Sequence, residues 1–597
     1  MLEALNYPFD PALLLKKRRS LKRELLSDGS TRIEKRIAVL GGSTTHDIID
    51  MLELFLLNFG IEPRFYESEY GQFYEDALFG QELAEFQPEL VFLHTSFRNL
   101  HFLPTAEDDA ASVAEKLDRE TAHFTAVWEN VSTRFGCPVI QNNFEPPYYR
   151  LLGNRDAWDP RGWTCYAREM NRRFADYAAA HESFYLNDLA YAAGDYGLQA
   201  WSDPLYWHMY KYCMCLNAIP AFAYQTACIV KSIYGKNKKA LVLDLDNTLW
   251  GGVVGDDGVE GIEIGQETSM GQSYAEFQRY LKTLSSYGVL LAVNSKNDEV
   301  NALAGLEHPD GALKPRDFVA IRANWEPKSK NFGDIAAALN ILPDSMVFVD
   351  DNPAERAIVT RVYPEVSAPP LDMPEHYVRL LDRAGYFEAT ALSKDDLARV
   401  DMYRQNAARA EQQNRFTDYG EYLRSLQMKA VIQPFKPMVL ARVTQLTNKS
   451  NQFNLTTRRY TESEIEAASK DSNRITLYGR LADVFGDNGL VSVVIGRQEG
   501  ERLHIELWLM SCRVLKRNME HAMLDSLAAA ARARGVRTLV GYYYKTAKNG
   551  MVRDFYKDFG FTLAAAEGED TVWELDITDY QNKNQFIEVN EGHYEQN

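Results

Sequence analysis

Lys239-Ala-Leu-Val-Leu-Asp244-Leu-Asp246-Asn-Thr248-Leu-Trp250-Gly-Gly252 decides the fold of the chain around it. Ala240 to Leu243 is a short apolar run without helical spacing, which suits a parallel strand buried on both faces. Side chains at i and i+2 of a strand point the same way. Asp244 and Asp246 therefore leave its carboxyl end as a converging pair, with Thr248 just beyond. In an open α/β sheet that end is where ligands bind. Two carboxylates forced together repel, so one takes up a proton or a cation comes between them. A hard divalent ion with oxygen ligands answers this, and Mg²⁺ is the usual one where phosphate is present. A carboxylate so placed attacks phosphorus to form an aspartyl-phosphate. Its neighbour protonates the leaving oxygen and then activates water. The bland alternative is a strand that ends in an Asp/Asn turn.

Three further sets follow in order. Val289 to Val293 reads as a strand ending in Asn294-Ser295-Lys296-Asn297. Phe318 to Arg322 reads as another, followed by Asn324-Trp-Glu-Pro-Lys328-Ser-Lys330. Met346 to Val349 is a fourth, ending in Asp350-Asp351-Asn352-Pro-Ala-Glu355-Arg356. A doubly wound sheet brings such strand ends together. The glycine-rich, apolar segment Trp250 to Gly265 suggests a small hairpin or flap rather than a large inserted cap.

Asp-x-Asp-x-Thr after an apolar strand resembles the haloacid dehalogenase (HAD) superfamily. The longer runs from Asp244, Asn324 and Val349 resemble its FkbH-like branch. That resemblance implies Asp244 as nucleophile and Asp246 as acid and base. Ser295 and Lys328 (or Lys330) would hold phosphoryl oxygens, with Thr248 and Asn297 at the substrate. Metal ligands would be Asp244, Asp246 through its backbone carbonyl, and Asp350 or Asp351. It further implies a phosphoglycerate-type donor whose glyceryl unit is loaded onto an acyl carrier protein. Members that pass the glyceryl group through a thiol carry cysteine where this chain has Asn294, so phosphomonoester hydrolysis gains weight here.

Before this domain, residues 35–235 read as a first α/β domain. Arg36 to Leu40, Arg64 to Tyr66, Leu90 to His94 and Val139 to Gln141 are its expected strands. Gly41-Gly42-Ser43-Thr44 then opens a helix, and such a helix start holds an anion or oxyanion. The turn resembles the nucleophile position of SGNH hydrolases. On that likeness Ser43 is the nucleophile, Asn99 the oxyanion donor, and Asp203 and His208 the late pair, at longer than usual spacing. The competing reading makes Ser43 or Thr44 a helix cap and the domain non-catalytic. Residues 1–34, with a basic cluster from Lys16 to Arg23, read as a docking helix, or else as a partner site.

After residue 385, residues 386–427 read as a charged helical connector and 428–580 as a third α/β domain. Asp483 to Val494, Leu503 to Met510 and Thr538 to Tyr543 are expected strands, with a helix at Asn518 to Ala531. Phe555 to Phe561 resembles the close of the GNAT acyltransferase fold. That family's phosphate loop keeps glycines that Arg513 to Asn518 lacks, so close backbone approach is impaired. Lys516 and Arg517 remain as side-chain charges for phosphate, and a binding module for a pantetheine arm is expected. Residues 581–597 read as a frayed acidic tail.

The chain has 597 residues, so several domains are expected. Its formal net charge of −19 argues against nonspecific binding to nucleic acid or an anionic membrane. The six cysteines form no disulfide or zinc framework, which fits a reducing cytoplasm. Neither a secretory signal nor a membrane-spanning run is expected. The fold expected is thus α/β in three domains: SGNH-like, HAD-like with a doubly wound parallel sheet, and GNAT-like. The function expected is Mg²⁺-dependent phosphoryl transfer on a phosphorylated small molecule. The alternatives are a carrier-protein-binding scaffold with vestigial chemistry, or an esterase at Ser43.

Overall fold

The computed structural model describes residues 2–413, 415–450 and 452–590. The chain divides into two compact units, Met1–Ile233 with Arg383–Ala391, and Tyr234–Asp382 with Leu392–Asn597.

The first unit is built on a five-stranded, all-parallel sheet: β1 (Ile33–Gly41), β2 (Ile61–Glu67), β3 (Leu90–His94), β4 (Val139–Asn142) and β5 (Phe184–Asn187), in the order β2-β1-β3-β4-β5. Ala38, Leu40, Val91 and Leu93 give one face, which packs on Phe124, Trp128 and Phe174 from two long helices, Ala110–Phe135 and Trp163–Ala180. The basic stretch near the start is part of a docked helix, Pro11–Ser27. Asp10 caps it through the amides of Ala12 and Leu13, and Leu14, Leu21 and Leu25 are buried. Arg18 and Lys22 pair with Asp47, Asp50 and Glu53 of the neighbouring helix, His46–Asn58. Arg383–Ala391 also belongs to this unit, which corrects the expected boundaries at 385 and 386. The Tyr224 hydroxyl donates to the Ala384 carbonyl (2.8 Å), the Ser232 hydroxyl to that of Glu388 (2.8 Å), and Arg383 pairs with Asp195 (2.7 Å).

In the second unit a four-stranded parallel sheet comes first: β6 (Ala240–Leu243), β7 (Leu290–Ser295), β8 (Ala320–Ala323) and β9 (Met346–Val349), in the order β8-β7-β6-β9. Leu243 stands beside both Val293 and Val349, so the next residues of these strands leave the sheet at one level. Apolar side chains from Ala240 to Phe348 close its core with Phe332, Ile335 and Val359 of the covering helices. Between Trp250 and Ile264 the chain makes a small flap, with an antiparallel bridge from Gly251 to Glu263 and one helical turn, Val254–Asp257.

Helices Arg399–Gln413 and Tyr419–Ser425 then lead into a nine-stranded mixed sheet. Its strands are β10 (Met428–Gln433), β11 (Phe453–Asn454), β12 (Arg474–Asp483), β13 (Gly486–Glu499), β14 (Arg502–Met510), β15 (Thr538–Tyr543), β16 (Thr562–Glu567), β17 (Asp570–Asp576) and β18 (Ile587–Asn590). β14 and β15 pair in parallel only at Arg502–Ile505. Beyond that point β11 pairs with β14, and Leu455 accepts a hydrogen bond from the Tyr544 amide (2.9 Å), so the chain's own backbone bridges the gap. β18 pairs with β10, which corrects the expectation of a frayed tail as far as Asn590. Residues 591–597 lie outside the described part. Arg517 is buried and spent on Asp483 (3.2 Å) and Asn406 (2.7 Å), which corrects its assignment as a free phosphate-attracting charge. The Lys516 backbone is left-handed at φ 64°.

Candidate active site

The strand register dictates the site. Asp244 follows β6, and its amide donates to the Val349 carbonyl (2.9 Å), so it stands level with Asp350 after β9. Lys328, the first residue of the helix Lys328–Leu339, reaches between them. Its Nζ lies 2.6 Å from Asp244 Oδ2 and 2.5 Å from Asp350 Oδ2. Asp350 Oδ1 accepts from the Asn352 amide (2.9 Å). Asp351 completes a triad, for one carboxylate oxygen from each of Asp244, Asp350 and Asp351 lies within 4.8 Å of the others. The Arg356 guanidinium donates to the carbonyls of Asp350 (2.6 Å) and Asp351 (2.8 Å) and fixes the turn that carries them. Thr248 is fully buried; its hydroxyl accepts from the Asp351 amide (3.2 Å).

Burial sets the protonation here. It pushes the Asp350 carboxyl up to about 6, helped by the charge of Asp244 and opposed by Lys328. Burial and Asp244 likewise raise Asp351. Burial pulls Lys328 down, but Asp244 and Asp350 more than restore it, so the ammonium stays charged. The three carboxylates and one ammonium leave two negative charges when all are ionised. Asp244 Oδ1 is buried without a hydrogen-bond partner among the described residues. A bare oxygen in an acidic cluster of net charge −2 suits a hard divalent cation with oxygen ligands. Asp244, Asp350 and Asp351 are the residues whose side chains would hold it.

Asp246 has a different setting. Its carboxylate accepts from Trp250 Nε1 (2.9 Å), the Val254 amide (3.1 Å) and Asn297 Nδ2 (3.0 Å). The side chain therefore points to the flap and lies outside the acidic triad. Burial raises its pKa, against the pull of these three donors, and the charge of Asp244 adds to the rise. Asn247 turns the chain directly afterwards with φ 55°, a conformation asparagine tolerates better than most residues. Ser295 is buried at the end of β7, and Asn294 donates to the Lys328 carbonyl (2.9 Å). Lys330 is on the outside, paired with Glu326 (3.1 Å), so Lys328 alone of the two reaches the carboxylates. Trp250 and Arg356, which hold the acidic side chains in place, were not singled out from the sequence, although both lie inside the quoted motifs.

The structure does not assemble the Ser43 group. Ser43 is buried, and its hydroxyl lies against the Cys213 thiol with no nitrogen or oxygen partner among the described residues. His208 is exposed, and Asp203 spends its carboxylate capping its own helix through the amides of Leu205 and Tyr206. Asn99 does meet the turn, but its amide is used on the Gly42 carbonyl (2.8 Å) and the Ser96 amide (2.9 Å). Two further imidazoles lie on this side of the unit: His46, exposed and beside Glu67 (3.5 Å), and His94, fully buried between Cys213 (3.4 Å) and Asn142 (2.9 Å), where burial holds its pKa down to about 3. With its pKa held that low and no hydrogen bond to Ser43 among the described residues, His94 is too weak a base to activate the hydroxyl.

Residues 36–231 match the family described as FkbH, N-terminal domain. Among solved structures, the N-terminal part of protein BF1531 from Bacteroides fragilis, containing a phosphatase domain and complexed with Mg, is 28% identical to this chain. The likeness covers 63% of this chain and 99% of that one, with a TM-score of 0.56. The GNAT domain of S. lividans PAT is 15% identical over 24% of this chain and 89% of its own, with a TM-score of 0.21. The ribosomal-protein-S18-alanine N-acetyltransferase of Escherichia coli is 13% identical over 26% and 99%, with a TM-score of 0.20. No curated protein matches the chain. Among the described residues no helix is long and apolar enough to cross a membrane.

Proposed function

We propose that the chain is a Mg²⁺-dependent phosphatase or phosphoryl-transfer enzyme of the HAD type, working through an aspartyl-phosphate at Asp244. The observation that carries this reading is the pairing of Lys328 with both Asp244 and Asp350, which leaves Asp244 Oδ1 bare at the rim of the sheet. Lys328 holds Asp244 Oδ2 and keeps the carboxylate ionised and fixed in place for attack on phosphorus. Asp246, its pKa raised by burial, carries the proton for the leaving oxygen and afterwards takes one from water. Ser295 and Lys328 hold the phosphoryl oxygens, and Thr248 and Asn297 border the substrate. Mg²⁺, when held by Asp244, Asp350, Asp351 and the Asp246 carbonyl, would neutralise phosphoryl charge. Most of the rate gain is then positioning and charge neutralisation.

The FkbH likeness of the motifs and of residues 36–231 supports a finer reading. The donor is of the phosphoglycerate type, and the three-carbon acyl unit goes to the thiol of an acyl carrier protein. With Asn294 in place of a cysteine, such a transfer would pass through no enzyme thioester, and simple hydrolysis is the other outcome. A scaffold with vestigial chemistry has no need of an intact set of Asp244, Asp246, Ser295, Lys328 and Asp350.

Phosphate release from an aryl phosphate, with and without Mg²⁺, tests the reaction. Wild type should turn over only with the metal and Asp244→Asn not at all. Turnover retained in Asp244→Asn removes the nucleophile. Mass spectrometry of carrier proteins incubated with a three-carbon acyl phosphate separates transfer from hydrolysis.

A further inference from the structure

A second charge cluster lies at the other end of β6. Lys239 enters that strand at its amino end, away from Asp244. There a cavity of about 100 Å³ opens between the four-stranded sheet and the nine-stranded domain, both in the second unit. Five cationic side chains line it. Lys239 comes from the sheet, Arg399 from the connecting helix, Arg442 and Lys449 from the helix Leu440–Lys449, and Arg513 from the turn after β14. Only two carboxylates, Asp395 and Asp396, line it with them.

Those carboxylates are already taken. Asp396 pairs with Arg399 and with Lys449 (3.2 Å), and also accepts from Ser393 and Gln445. Asp395 pairs with Arg442 (2.9 Å). Among the described residues Lys239 makes no side-chain hydrogen bond or ion pair, and Arg513 donates only to the Ser511 hydroxyl (3.1 Å) and the Met402 sulfur. Two cations therefore face the cavity without a directly paired carboxylate, in a chain whose net charge is −19. The strain of that surplus shows in the neighbours. Burial lowers the pKa of Lys239, Arg442 and Lys449, the last to about 8, and nearby arginines lower each further, while Asp344 acts upward on Lys239, Asp395 and Asp396 on Arg442, and Asp396 on Lys449.

A half-buried surplus of positive charge is costly unless an anion joins it. The space is several times the roughly 10–15 Å³ that one water needs, so it accommodates a tetrahedral oxyanion. Arginine forks and ammonium groups suit phosphate oxygens. We propose that this cavity binds a phosphate-type dianion, as free phosphate or as the phosphoryl group of a larger ligand, at a site separate from the Asp244 centre. Lys239 and Arg513 contact it from the two sides, and the bound anion clamps the nine-stranded domain to the amino edge of the phosphatase sheet.

The full-length protein in EDTA provides the test, because without Mg²⁺ the acidic Asp244 centre repels anions. Inorganic phosphate and glycerol 3-phosphate are titrated separately, with thermal melting and calorimetry as readouts and sodium chloride at matched ionic strength as control. Phosphate should raise the melting temperature saturably. Binding by glycerol 3-phosphate as well would mark a site for phosphoryl groups; binding by inorganic phosphate only would mark one for the free ion. The Lys239→Gln/Arg513→Gln protein should bind about tenfold to a hundredfold more weakly, as expected for two lost charge-assisted contacts. Asp244→Asn should bind as wild type does. An effect equal to that of chloride, one that survives in the double variant, or one lost in Asp244→Asn overturns the proposal. If the double variant does not fold, Arg513→Lys against Arg513→Gln replaces it. The lysine must retain most of the binding and the glutamine lose it, or the site is not there.

Discussion

Lys328 and Lys330 stand two residues apart at the start of one helix and have opposite fates. A step of two residues turns about 200° around a helix, so only one of them can face the sheet. Lys328 is 3% exposed and ion-paired twice; Lys330 pairs with Glu326 at the surface. The sequence motif left the two open, since spacing alone does not say where the helix begins. The Asn-Trp-Glu-Pro run ends with Pro327 as N-cap, and that start sets the phase. Lys328→Met should lower kcat by roughly 10²–10³, the usual loss for a preorganised group facing developing charge. Breaking a buried pair from one side costs about 3–5 kcal/mol, so the same variant should melt much lower in EDTA. Mg²⁺ should restore part of that loss, because it neutralises the same carboxylates. Lys330→Met should change stability by no more than about 0.5 kcal/mol and leave turnover intact. Calorimetry with and without the metal, beside steady-state kinetics, separates the two lysines.

Among the elements, the flap is the one that tunes the acid. Trp250 and the turn Val254–Asp257 deliver two of the three donors to Asp246. Gly305 lets the helix Glu299–Leu306 lie close on Trp250, for a Cβ there would sit 2.9 Å from the indole. The Trp250 hydrogen bond holds the Asp246 pKa down against burial, so Trp250→Phe should move the limb of the pH–rate profile that reports Asp246 to higher pH. An unmoved profile would mean that Asp246 does not titrate in the rate-limiting step. Gly252 sits at φ +89°, and a Cβ there would lie 2.7 Å from Asp257 Oδ2. Gly252→Ala should therefore cost about 1–2 kcal/mol and loosen the flap, with a fall in kcat.

The strands on which the site rests were the most legible elements. Ala240–Leu243 and Met346–Val349 are unbroken apolar runs, buried on both faces, and nothing else in their sequence competes with that reading. Phe184–Asn187 was missed because four residues at a sheet edge, two of them half-buried, show neither alternation nor a full apolar run. β12 was missed for another reason. Gly479 interrupts its apolar run, and the Asp483–Gly486 turn that ends it is absorbed into the strand expected from Asp483. The sequence led furthest astray at Asp203 and His208, where residue types of a catalytic pair occur without the geometry, and a helix cap used up the acid.

At the scale of the whole molecule, the first unit carries a buried acid whose titration should show in its melting. Glu145 in the first is buried, with one hydrogen bond from the Phe97 amide (3.1 Å), and burial raises its pKa to about 7. A carboxyl whose folded pKa lies above its unfolded value binds protons more strongly when folded. Stability from this group is therefore full below about pH 4.5 and is lost as pH rises through about 7. At about 1.4 kcal/mol per pKa unit, the loss is of the order of a few kcal/mol. The melting of the first unit should fall over that window in wild type and fall less in Glu145→Gln, followed by calorimetry from pH 4.5 to 8. An unchanged slope in the variant would assign the dependence elsewhere.

That the first unit is discontinuous is not legible in the sequence, because Arg383–Ala391 carries no motif and only fills a place left by distant residues. That place is specific: the ring of Tyr224, the thiol of Cys228 within 2.5 Å of where a Gly385 side chain would begin, and the carboxylate of Asp195. Cutting the gene after Ile233 thus yields a fragment with an open wound, its Tyr224 hydroxyl and Asp195 stripped of their partners. Such a fragment should express poorly and melt early, and a synthetic nonapeptide spanning the returning segment should heal it in trans.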